Sequence, residues 1–113
     1  MNIFSTGLDQ NPRLVSLVGK LDILGVGEIE TKLAGYCSGD NVHVLVDLSQ
    51  VEYIASIGIR LLLISAKSIA IRGGKIGLLN PGTEVKYVLE LSGLQTIMPI
   101  FSDLQTAQDY MNG

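Results

Sequence analysis

Between Val42 and Ile71 an apolar strand passes through one serine into a long helix, and no other stretch constrains the fold as tightly. Val42, Val44, Leu45, Val46 and Leu48 are dense enough in β-branched and leucine side chains for a strand buried on both faces. A turn is expected from Asp47 to Glu52. The run Ile57 to Ile71 then has no proline and only one early glycine, and its length favours a helix over a strand. Ser56 is therefore predicted at the mouth of that helix. Open α/β proteins put function at such junctions, where free backbone N–H groups and the helix dipole can hold an anion.

The flanking segments extend the same alternation. Arg13 to Val18 reads as a strand after Asn11-Pro12, with Ile3 to Thr6 pairing as a hairpin, and Gly19-Lys20-Leu21-Asp22 closes it. A helix follows with Val26, Ile29, Leu33 and Tyr36/Cys37 on one stripe, although Gly25 and Gly27 weaken its first turn. Gly73-Gly74 stops the long helix before a strand at Lys75 to Leu79. Asn80-Pro81-Gly82-Thr83 turns into a third helix carrying Val85, Val88, Leu89 and Leu91, which Gly93 suits as a left-handed C-cap. Thr96 to Phe101 is predicted as an edge strand because it contains Pro99, and Ser102 is predicted to cap a last helix with Leu104, Ala107 and Met111 facing in. The order ββαβαβαβα implies a mostly parallel sheet with packed helices.

At 113 residues the chain is expected to be one domain, able to bury roughly two-thirds of its unfolded surface. With 47% hydrophobic and 17% charged residues it is globular rather than disordered. Its net charge is −3 and its 8 lysines and arginines are dispersed, which argues against nucleic acid as a direct partner. Cys37 is the only cysteine, so an internal disulfide is impossible, as in a reducing cytoplasm; on an apolar helical stripe it reads as a small core residue. Met1 to Asp9 lacks a charged segment followed by an apolar core, and no apolar run approaches the roughly 20 residues of a membrane span. A cytoplasmic protein without membrane insertion is expected.

Five motifs in order carry a family resemblance. They are Gly19-Lys20-Leu21-Asp22, Asp47-Leu48-Ser49, Tyr53-Ile54-Ala55-Ser56-Ile57-Gly58-Ile59, Gly73-Gly74-Lys75 and Leu91-Ser92-Gly93-Leu94. Over nearly its whole length the chain resembles a STAS domain of the anti-sigma factor antagonists. The resemblance implies an α/β fold with a four- to five-stranded mixed sheet and about four helices. It also implies partner switching: the antagonist binds an anti-sigma factor that is also a serine kinase, releases its sigma factor, and lets go once phosphorylated. By position the phosphoacceptor is Ser56, and a phosphatase acting on phospho-Ser56 is a further implied partner. The family motif typically reads Asp-Ser-(Ser/Thr)-Gly-Leu; here Ala55 replaces the aspartate and Ile57 the second hydroxyl residue, while Lys20 stands where glutamate is common. These departures keep a second reading open, a non-phosphorylated STAS subunit of a membrane lipid-transport ABC complex or a scaffold in a signalling assembly.

On a wheel of about 100° per residue, Ile59, Leu62, Leu63, Ala66, Ile69 and Ala70 form the expected core face of the long helix. Arg60, Ser65, Lys67, Ser68 and Arg72 spread over the opposite side, yet Ile57, Leu61, Ile64 and Ile71 fall among them. Such an apolar patch rimmed by basic residues marks either a protein interface or a surface covered by a neighbouring element. Together with the motif, this makes Asp22, Ala55, Ser56, Ile57, Gly58, Arg60, Leu61 and Ile64 the candidate partner face.

Simpler roles compete at several positions. Ser56 is also a favoured helix N-cap, and Asp22 and Asp47, expected at the same sheet edge as Ser56, read as turn caps more readily than as acid–base or metal groups. His43 lies within the central strand among valines and reads as a sheet histidine. Asn80-Pro81-Gly82-Thr83 lacks the lysine and spacing of a phosphate loop, so Thr83 reads as a cap. One histidine and one cysteine far apart, without a nucleophile-elbow pattern, zinc spacing or dinucleotide fingerprint, point away from an enzyme and from any cofactor or metal.

Overall fold

A central strand buried on both faces sets the layers. In this computed structural model, which describes residues 1–6 and 11–112, β1 (Asn2–Thr6) pairs antiparallel with β2 (Arg13–Leu21). From β2 the sheet grows in parallel through β3 (His43–Ile54), β4 (Lys75–Leu79) and β5 (Ile100–Phe101), in the order β1-β2-β3-β4-β5. The crossovers are α1 (Ile23–Tyr36), α2 (Ser56–Ile71) and α3 (Thr83–Ser92), and α4 (Leu104–Asn112) closes the chain. The mixed five-stranded sheet with four α-helices agrees with the expected architecture.

The two faces of β3 feed two cores. Val44, Val46 and Leu48 meet Ile29 and Leu33 of α1, Leu62 and Ile69 of α2, and Val85 and Leu89 of α3 in the main core. Leu45, pointing the other way, meets Leu79, Ala107 and Met111 beneath α4. Because β2, β3 and β4 are parallel and each feeds a helix, their C-terminal ends bring the starts of α1, α2 and α3 to one end of the molecule.

Several local expectations need correction. The segment Asp47 to Glu52 is not a turn but the second half of β3: β2 runs on to Leu21 and pairs with it from Val18 opposite Gln50 to Leu21 opposite Ile54, with one register shift before Val18 and another after Gly19. Asp47 consequently sits mid-strand opposite Ser16 and Leu79, away from the sheet edge, and accepts the Ser49 N–H at 2.9 Å. The predicted strand Thr96 to Phe101 keeps only Ile100–Phe101; Leu94–Thr96 forms a 3₁₀ turn, with Pro99 contributing its carbonyl to the Leu78 N–H. Leu104 is exposed rather than packed inward.

On α2, Ser65 is buried and Ala70 exposed, the reverse of the wheel assignment. The buried arc is turned by about 50° towards Leu61 and Ser65, because α1 as well as the sheet packs on this helix. Ser65 tolerates burial by donating its hydroxyl to the Leu61 carbonyl at 2.9 Å. Cys37 is buried as expected. Burial pushes its thiol up to about 11, against the opposing pull of the Arg13 charge and a Ser65 hydrogen bond, so it stays protonated and inert near neutral pH.

Candidate functional site

The three hydroxyl residues read as helix caps all fall one position away from the cap. Ala55 is the N-cap of α2 and Ser56 its first helical residue; Gly82 holds that place for α3, making Thr83 the first residue there. At α4, Asp103 rather than Ser102 accepts the Thr106 N–H at 2.8 Å, and hydrogen bonds from Thr106 hold its carboxyl below the usual range. Asp22 does cap α1, accepting the Gly25 N–H at 2.8 Å.

These shifts leave Ser56 without a structural task. It is exposed, gives α2 no side-chain cap, and its hydroxyl has no partner among the described residues. The Ala55 carbonyl accepts the N–H groups of Gly58 and Ile59, at 2.9 and 3.1 Å. The Ser56 and Ile57 amides precede the first such bonds and have no intrahelical acceptor. The junction beneath is rigid: Ala55 N–H donates to the Leu21 carbonyl at 3.0 Å, and a Cβ on Gly58 would stand 2.8 Å from that oxygen and 2.9 Å from Leu21 Cβ. Asp22 and Ser56 are thus held at one end of the sheet through the end of β2.

Around Ser56 the fold gathers part of the candidate face. A depression of about 230 Å³ between α1 and α2 is lined by Val26, Glu30, Ile57, Arg60, Leu61 and Ile64. Ile57 and Ile64 are exposed and Arg60 reaches solvent, whereas Leu61 is half-buried against the main core. Gly58 is buried under α2, where its lack of a side chain sets how closely the helix seats.

The sequence reading missed residues from other elements. Ile23 and Leu24 in the first turn of α1 are 75% and 78% exposed, and Tyr53, opposite Lys20 near the end of β3, is exposed as well. Their signal is present in the sequence, since two large aliphatics directly follow the Asp22 cap, ahead of the apolar stripe of α1 that begins at Val26. The α2 wheel offers only basic neighbours; Glu52 is visible as an acidic neighbour of Ser56 in the sequence, whereas Glu30 and Glu84 come from α1 and α3.

His43 is half-buried opposite Lys75, and its buried Nδ1 has no partner among the described residues. Among the described residues, no group of three or more His, Cys, Asp or Glu side chains could hold a metal ion, and no helix is long and apolar enough to cross a membrane.

Residues 6–107 match the STAS domain family, and the chain belongs to it. Among its relatives, BtrV of Bordetella bronchiseptica, a candidate anti-sigma factor antagonist, is 28% identical over 94 residues, covering 83% of this chain and 81% of BtrV. The anti-sigma-F factor antagonist RsfB of Mycobacterium tuberculosis is 24% identical over 100 residues, covering 88% and 81%. The unphosphorylated form of the anti-sigma factor antagonist SpoIIAA, a Bacillus cell fate determinant, superposes with a TM-score of 0.80 at 23% identity over 99% of this chain and 97% of that one. SpoIIAA in its phosphorylated form gives 0.71 at 22%, over 96% and 98%. At these identities the two SpoIIAA structures establish the fold. Antagonists of this kind are regulatory binding proteins, not enzymes.

Proposed function

We propose that this chain is an anti-sigma factor antagonist that binds an anti-sigma factor with serine kinase activity and thereby releases a sigma factor, with Ser56 as its regulatory phosphorylation site. The observation that carries the reading is the exposed, unengaged Ser56 hydroxyl at the head of α2, next to the exposed Ile57 and at the end of the sheet where α1 begins with the exposed Ile23 and Leu24. A hydroxyl with no cap to maintain can accept a phosphoryl group at no cost to the helix. The added charge of about −1.5 to −2 would then meet the open first-turn amides of α2. It would also lie within the apolar contact surface, where a bound partner would have to desolvate it, and so drive the partner off. Asp22, Ala55, Ser56, Ile57, Arg60, Leu61 and Ile64 form the contact face in this reading, with Gly58 setting the seat of α2. A phosphatase acting on phospho-Ser56 resets the switch.

Ala55 supports one variant of this function. Without a carboxylate beside the acceptor, a kinase has one fewer group to recognise, and a constitutive antagonist or a non-phosphorylated STAS subunit becomes the competing role.

The test is to incubate the purified protein with the ATPase-type anti-sigma factors of its own cell, ATP and magnesium, and to record intact mass and complex formation. The expected result is a gain of one phosphate that disappears in Ser56→Ala, with a stable complex that Ser56→Asp weakens. A complex without phosphate transfer identifies a constitutive antagonist; neither phosphate nor complex removes the antagonist reading.

A further inference from the structure

The end of the molecule that carries Ser56 also carries a net negative charge. Three depressions of about 150, 280 and 230 Å³ lie there, the first two sharing Glu52 and the last two bordered by α1. Five of the eleven Asp and Glu residues line them (Asp22, Glu28, Glu30, Glu52 and Glu84), but only two of the eight lysines and arginines, Lys20 and Arg60. The side chains of these linings therefore sum to a formal charge of −3, which the Met1 ammonium beside Glu28 brings to −2. Asp22 is committed to its cap and Glu28 to the Met1 ammonium at 2.6 Å. Glu30, Glu52 and Glu84 are exposed and have no partner among the described residues.

Resting on the reading that this end binds a protein partner, we propose that the partner presents a cationic rim, lysines or arginines surrounding an apolar projection. The apolar projection would seat on Ile23, Leu24, Ile57 and Ile64, and the rim cations would pair with Glu30, Glu52 and Glu84. An apolar patch alone selects no particular partner; a patch whose border is net negative repels acidic surfaces and steers basic ones. The arrangement also separates affinity from release. The rim pairs govern encounter from the border, whereas a phosphate on Ser56 would appear among the aliphatics, where no rim cation is needed for docking.

Association with whichever anti-sigma factor forms a complex should be followed by stopped flow at increasing salt. The association rate should fall about tenfold or more between about 0.05 and about 0.5 M sodium chloride. It should fall by a similar factor in the double variant Glu30→Lys, Glu52→Lys at low salt, while Glu90→Lys, an equal charge change outside the face, leaves it unchanged. Salt-independent association, or an equal effect of Glu90→Lys, overturns the proposal while leaving the antagonist reading intact. In parallel, the ¹⁵N-labelled protein is titrated with N-acetyl-leucyl-arginine amide and with its leucyl-glutamate counterpart, which requires no natural partner. Shifts confined to the starts of α1 and α2 and caused only by the arginine probe support the cationic partner even where no anti-sigma factor binds. Equal response to both probes, or shifts scattered over the sheet, overturns it.

Discussion

The junctions β2–α1 and β3–α2 lie side by side at one end of the sheet and solve the same problem differently. At the first, the Asp22 carboxylate accepts the Gly25 N–H, and the Lys20 carbonyl stands so close that a Cβ on Gly25 would lie 1.8 Å from it. At the second, the cap is Ala55, which offers no side-chain acceptor, and the following serine engages nothing. Both seats are tight, since Gly58 under α2 leaves a Cβ no more room than 2.8 Å from the Leu21 carbonyl. Only the first junction uses its polar side chain to hold the helix. The second keeps the backbone rigid while leaving its hydroxyl free, which is what a modification site needs: a fixed position and no structural duty.

The largest effect should come from the seat of α1. Gly25→Ala places a methyl group onto the Lys20 carbonyl, so α1 must move, and we expect a loss of about 3 kcal/mol in urea unfolding. Gly27→Ala in the same turn is the control. Nothing lies within 4 Å of its Cβ position, so alanine there should add about 0.5–1 kcal/mol. Equal effects at the two glycines would mean that the tight seat of α1 is incorrect.

The caps give the next step down and should be opposite in sign. Asp22→Ala leaves the Gly25 N–H without its acceptor and should cost about 1 kcal/mol. Ala55→Asp gives α2 the side-chain acceptor it lacks and should raise stability by about 0.5–1 kcal/mol. Chemical denaturation of both variants checks the pair. If Ala55→Asp leaves stability unchanged, the first turn of α2 is already satisfied and the contrast between the junctions fails.

Much of this contrast was legible in the sequence and its decisive detail was not. Element order, the edge position of β5, the Asp22 cap and the left-handed Gly93 follow from apolar period and turn chemistry, which are local. The cap positions of Ser56, Thr83 and Ser102 each missed by one residue, because a hydroxyl before a helix looks the same at the cap and at the first helical position. The second half of β3 was hidden because Asp47-Leu48-Ser49-Gln50 has turn composition, and only the extended pairing with β2 makes it strand. The rotated face of α2 and most of the acidic border of the site were hidden for a related reason. A helical wheel records the spacing along one helix, whereas α1 decides which side of α2 is buried, and Glu30 and Glu84 arrive from two other elements to join Glu52, which already stands near Ser56 in the sequence. Family resemblance pointed to Ser56 by its place in the motif, without showing that its hydroxyl is idle.

The smallest predicted effect is the sharpest probe of that idleness. Ser56→Ala removes an exposed hydroxyl that caps nothing and meets no partner among the described residues, so its unfolding free energy should stay within about 0.5 kcal/mol of the parent. Had Ser56 been the N-cap, the same change would cost about 1 kcal/mol, as expected for Asp22→Ala. Urea titrations of Ser56→Ala and Asp22→Ala, run together, therefore distinguish a residue that holds its helix from one that is only held by it. A loss at Ser56 matching that at Asp22 would return the serine to a structural role and leave its phosphorylation in competition with the stability of α2. Unchanged stability would mean that the hydroxyl can be modified and restored repeatedly without disturbing the fold, the condition a reversible partner switch requires.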